Sequence, residues 1–87
     1  MMQEIVEELV QRYKPIAYEY NNILLLNMLT ALNENVSIWP VDKTNRWIGF
    51  IQGVLYSEGL IDIDQERDFT RPLFHAYYKE RGILLDS

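Results

Sequence analysis

The 87-residue chain contains no cysteine, one histidine, four glycines and three prolines. The lack of cysteine excludes disulfides, thiolate-bound zinc, iron–sulfur clusters and thiol nucleophiles together. It also fits a reducing compartment, so a cytoplasmic setting is expected. Basic residues are few: 8 against 13 acids, for a formal net charge of −5. That balance lacks the basic footprint on which binding to duplex nucleic acid depends. Long apolar runs are missing too. The longest, Ile23-Leu24-Leu25-Leu26, is bounded by Asn22 and Asn27, whereas a membrane span needs about 20 apolar residues. Glu4, Glu7 and Glu8 stand near the start, where a signal peptide needs basic residues.

Catalytic patterns are equally scarce. No glycine-rich phosphate loop and no HExxH segment occurs. Ser37, Ser57 and Ser87 have no nucleophile-elbow context. Asp62-x-Asp64-x-Glu66 opens like a calcium loop, but Arg67 replaces the required glycine and Leu73 the closing glutamate. A solvated acidic helix start accounts for those acids. No metal, cofactor or enzymatic activity is expected.

What is present is apolar and aromatic. Hydrophobic residues make up 48% of the chain, which is too many for disorder, and its length suits one domain spanning residues 1–87. Helical spacing runs through Ile5, Val6, Leu9, Val10 and Tyr13, predicting a helix over 2–13. Pro15 removes a donor and disfavours helix at Lys14, so a break or kink is expected there. A second helix is predicted over 16–33, with Ile16, Tyr20, Ile23, Leu24, Met28 and Leu32 on one face. Leu25, Leu26 and Leu29 widen its stripe, as in a helix buried both by its own fold and by a partner.

A loop is expected from Asn33 to Val41, with Asp42 capping a third helix that runs to about Ser57. Gly59 suits a left-handed stop. Asp62 and Gln65 form a capping-box pattern for a fourth helix. Pro72 is expected to divide that helix into 63–69 and 71–81, with Thr70 recapping. Gly82 ends it, and Ile83-Leu84-Leu85 is expected to dock on the body. The fold class is therefore all-α: a bundle of four to five short helices, kinked at Pro15 and Pro72.

Two segments carry candidate sites. In the third helix, Gly49 and Gly53 lie four apart on one face, each costing about 1 kcal/mol relative to alanine. Missing side chains invite close approach by the chain's own backbone, a second subunit or a flat ligand. Trp47, Ile51, Val54 and Leu55 read as a core stripe, with Ile48 and Phe50 pointing elsewhere. Six tyrosines, three phenylalanines and two tryptophans exceed what so small a core holds, and Tyr and Trp favour interfaces. A homo-oligomer is expected, joined through Leu25, Leu26 and Leu29 or through Gly49, Phe50 and Gly53. In the last helix, Arg71, His75 and Lys79 recur every four residues beside Tyr78. The strip is either solvated or an anion site, with Arg46 and Trp47 approaching from the third helix.

Residues 45–74, NRWIGFIQGVLYSEGLIDIDQERDFTRPLF, resemble small proteins encoded by tailed bacteriophages. The likeness covers about a third of the chain and rests on an Arg-Trp-aliphatic-Gly-Phe-aliphatic-Gln-Gly helix, a glycine turn and an acidic helix start. It implies a host-cytoplasmic protein that disarms a host system, either by capping a defence or nucleic-acid-processing protein or by sequestering an immune nucleotide. It carries over no functional residue. The expected function is thus non-catalytic inhibition of a host protein by direct contact, with an oligomeric nucleotide sponge as the first alternative and a small enzyme as a distant second.

Overall fold

The computed structural model describes residues 2–80, without the Glu80 side chain, and these form four helices. They are α1 (Met2–Glu19), α2 (Ile23–Asn35), α3 (Val41–Ser57) and α4 (Ile63–Glu80). No strand occurs among the described residues. The proposed stop at Gly82 and the docking of Ile83-Leu84-Leu85 lie outside them.

The helix boundaries correct several expectations. No helix ends at a proline: α1 continues through Pro15 and α4 through Pro72. Both prolines are exposed, as are Gln11 and Asp68, whose carbonyls lose their helical donors. Water can satisfy those carbonyls, while the opposite faces stay anchored by Tyr13 and Ala17 in α1 and by Glu66 and Tyr77 in α4. Thr70 does not recap a segment. Its hydroxyl donates to the Glu66 carbonyl at 2.9 Å, inside the continuous helix.

The first break falls instead at Asn21, whose φ is 52°. Asparagine tolerates this left-handed conformation better than most residues. Asn21 N–H donates to Tyr18 and Asn22 N–H to Ala17, at 3.1 and 2.9 Å, the paired bonds of a Schellman stop. Asn22 then caps α2 by accepting the Leu25 N–H at 3.0 Å. The same stop recurs at Gly59, φ 72°, where Gly59 and Leu60 donate to Tyr56 and Leu55. Asp62 caps α4 as expected, accepting from Asp64 and Gln65 at 2.9 and 3.1 Å. Asp42 does not cap α3, which starts two residues sooner: the Pro40 carbonyl already accepts from Thr44, leaving Asp42 in the first turn.

The helices pack mainly α1 on α2 and α2 on α3, with α4 lying more lightly along α1. Val6, Leu9, Tyr13 and Ala17 meet Leu25, Leu29 and Leu32 of α2 and Ile48, Ile51 and Leu55 of α3 in one core. Restarting the helix at Ile23 rotates the expected stripe of α2. Leu25 and Leu29 are buried in the chain's own core and so are withdrawn from any interface, and Leu26 is half-buried. Tyr20, Ile23 and Leu24 face solvent instead. Ile48, expected to point elsewhere, is also core, one turn before Ile51. Among the described residues α4 gives this core only Tyr77, its other apolar side chains being part-covered or exposed.

Candidate interaction surface

The two sides of α3 differ in chemistry. Its inner side holds Thr44, Ile48, Ile51 and Leu55. At 100° per residue the opposite side carries Arg46, Gly49, Phe50 and Gly53, and all four are exposed. Phe50 is 60% exposed. A Cβ built on Gly49 or Gly53 would meet nothing within 4 Å. Close approach inside one copy therefore does not explain the glycines. They flank Phe50 and leave it standing clear of its own helix surface.

Beside Phe50 runs a groove of about 390 Å³, lined by Met28 of α2 and by Lys43, Arg46, Trp47 and Phe50 of α3. Its end is stiffened by two tryptophans. The Trp39 and Trp47 rings have centroids 4.7 Å apart at 46°, and the Lys43 ammonium sits 4.6 Å over the Trp39 ring. Trp39 comes from the turn after α2, which packs back on the body as the apolar Val36-x-Ile38-Trp39 spacing leads one to expect; Val36 is buried, yet Ile38 is 75% exposed. Leu24, one turn before Met28, extends the exposed apolar surface along α2.

The candidate residues of α4 fall elsewhere. Arg71, His75 and Lys79 are exposed, as their spacing predicts, and none lines the α3 groove. Tyr78 does link the two helices: its hydroxyl accepts from Asn45 Nδ2 at 3.1 Å, and its ring stacks on Phe74. The Asn45 side-chain oxygen Oδ1 beside it is buried with no partner among the described residues. The structure thus brings Arg46, Trp47 and Phe50 together and leaves the α4 strip as a separate face.

A polar cluster that sequence reasoning missed holds α3 in place. Arg12 Nη2 lies 2.7 Å from Glu66 Oε1, with Nε donating to both carboxylate oxygens at 3.0 and 3.1 Å. The Tyr13 hydroxyl donates to Glu66 Oε2 at 2.7 Å and accepts from Gln52 Nε2 at 3.0 Å. Arg12 also stacks on Phe69, 4.0 Å from the ring centroid. Glu66 of α4 thus binds α1 directly, and α3 joins through Tyr13. Glu66 is buried, which corrects its reading as a solvated turn acid. Burial and the bond to Glu66 raise the Tyr13 pKa well above its ordinary 10.0, and the bond to Glu66 raises that of Arg12. A hollow of about 570 Å³ adjoins this cluster, but of the charges on its wall Arg12 and Glu66 already satisfy one another and Asp62 caps α4. Sequence gave little signal for the cluster, since Arg12 and Glu66 stand 54 residues apart. The one hint is Tyr13, a hydroxyl on an otherwise apolar stripe that needs a partner once buried.

Among the described residues no three acids or histidines converge as a metal site, and no helix is long and apolar enough to cross a membrane. Compared with protein-family models, curated proteins and solved structures, the chain matches none significantly.

Proposed function

We propose that the protein works without catalysis, by covering a surface of another protein with the outward side of α3. The observation that carries this reading is the exposed Phe50, standing between two open glycines beside an apolar groove with a cationic rim. A soluble chain keeps a large aromatic in water at little benefit to its own stability, so a contiguous apolar surface of this kind marks an interaction site. Trp and Arg, both present here, are the residue types that dominate binding energy. The resemblance of residues 45–74 to phage proteins makes a bacterial host protein the target, with inhibition by direct contact as the outcome.

A photo-crosslinking residue placed at position 50, and as a control at the exposed Asn27, tests the reading in cells. Protein adducts at 50 and not at 27 are expected. Equal labelling at both positions would refute it. Adducts only to a second copy would make the face a homo-oligomer contact. The nucleotide-sponge alternative draws on the exposed Arg71, His75 and Lys79 strip. It predicts heat on titration with cyclic or linear nucleotides that disappears in Arg71→Ala.

A further inference from the structure

We infer that the occupant of the α3 groove is an acidic amphipathic helix of the partner protein, an inference that rests on the protein-binding reading above and adds the partner's chemistry. Its apolar face lies on Met28, Trp47 and Phe50, and its carboxylates face Lys43 and Arg46.

Shape gives the first argument. Every described residue lining the groove comes from α2 or α3, so among the described residues nothing roofs it. Small-molecule sites bury most of their ligand, whereas the described residues here leave the groove open along its length. A helix laid across it supplies the roof, with side chains at i, i+3, i+4 and i+7 as anchors.

Charge gives the second. The chain has 13 acids against 8 bases, yet the described charged residues lining the groove are Lys43 and Arg46. Asp42, one turn before Arg46, does not line it. No described acid forms an ion pair with either cation; Lys43 rests on the Trp39 ring, which leaves its charge intact. An apolar floor under two uncompensated cations is complementary to an acidic partner and repels a basic one.

Rigidity gives the third. Trp47 packs against both the core and the Trp39 ring. A pre-positioned aromatic wall loses little entropy on binding.

The test is a display library of randomised helical peptides, selected on the wild-type protein and counter-selected on Phe50→Glu. Circular dichroism first establishes that each variant keeps its helix content. The expected winners combine large apolar residues at i, i+3 or i+4, and i+7 with flanking Asp and Glu. Their affinity falls by about tenfold or more for the Lys43→Glu, Arg46→Glu double variant. That variant in turn selects Lys and Arg flanks on the same apolar spacing. Phe50-dependent peptides with no acidic preference would overturn the inference and leave the protein-binding reading standing. No Phe50-dependent peptide, together with no adduct at position 50, overturns both. A wild-type dimer that Phe50→Glu converts to a monomer assigns the face to a second copy and also overturns the inference.

Discussion

The inner and outer sides of α3 use similar residue types to opposite ends. Inside, Gln52 reaches Tyr13, Tyr13 reaches Glu66, and Arg12 closes the cluster with a two-pronged ion pair. Outside, two cations and an aromatic are held at the surface with no described acid paired to them. Polar groups that stabilise a fold are satisfied within it, because an unmatched buried donor or charge costs several times what a matched one contributes. Groups kept for a partner are left unmatched at the surface, where water makes the waiting state inexpensive. The difference predicts which changes disturb folding and which disturb only recognition.

The largest expected effect breaks the inner side. Arg12→Ala leaves the buried Glu66 carboxylate with Tyr13 as its remaining cluster partner. It should cost about 2–3 kcal/mol in urea unfolding, less than for a fully buried pair because the guanidinium is partly solvated. Arg46→Ala on the outer side should change stability by less than about 0.5 kcal/mol. Equal losses in the two variants would erase the distinction between the sides.

Tyr13→Phe should cost about 1–2 kcal/mol, since it strands the Gln52 donor and removes one bond to Glu66. It also carries a pH signature. The Tyr13 pKa is higher in the fold than the ordinary 10.0 of the unfolded chain, so the folded state retains a proton that the unfolded state releases. Its contribution is complete below about pH 10 and is lost as pH rises from there toward the folded value. Denaturation midpoints measured across that alkaline window should fall more steeply in wild type than in Tyr13→Phe.

A gain is expected on the outer side. Gly49→Ala and Gly53→Ala each add a methyl group into open space within a helix. Each should stabilise the isolated chain by roughly 0.5–1 kcal/mol. A loss of stability would reveal a partner seated there, as in a dimer. The smallest expected effect belongs to Phe50→Ser, within about 0.5 kcal/mol for an exposed side chain. This variant sharpens the comparison when it folds normally and no longer binds.

Much of the architecture was legible because it is local. The alternation of apolar faces marks four helices, and Gly59 and Asp62 mark a stop and a start that the hydrogen bonds bear out. The misreadings come from local signals that context overrode. Pro15 and Pro72 carry the local signal of a boundary, but both lie on exposed faces where water can take the place of a lost backbone bond. Asparagine is a weaker left-handed signal than glycine, so Asn21 gives little warning of the break that falls there. That shift of the break from Pro15 to Asn21 rotates α2, sending Leu25 and Leu29 into the core and Leu24 into solvent.

The candidate site divides in the same way. The spacing of Gly49, Phe50 and Gly53 puts them near one another on a helix whatever it packs against, so the sequence by itself determined that a face of α3 carries them. Which face turns outward was decided by packing: Ile48, Ile51 and Leu55 claim the core, and Arg46 and Phe50 are left opposite. The groove beside them depends on Met28 arriving from α2 and Trp39 from the turn. The Arg12–Glu66–Tyr13–Gln52 cluster likewise joins residues from three helices. Helix periodicity is a property of neighbours along the chain and can be read from residue order. Burial, and the pairing of charges far apart in sequence, arise only when whole helices exclude water from each other, and for that the tertiary structure was needed.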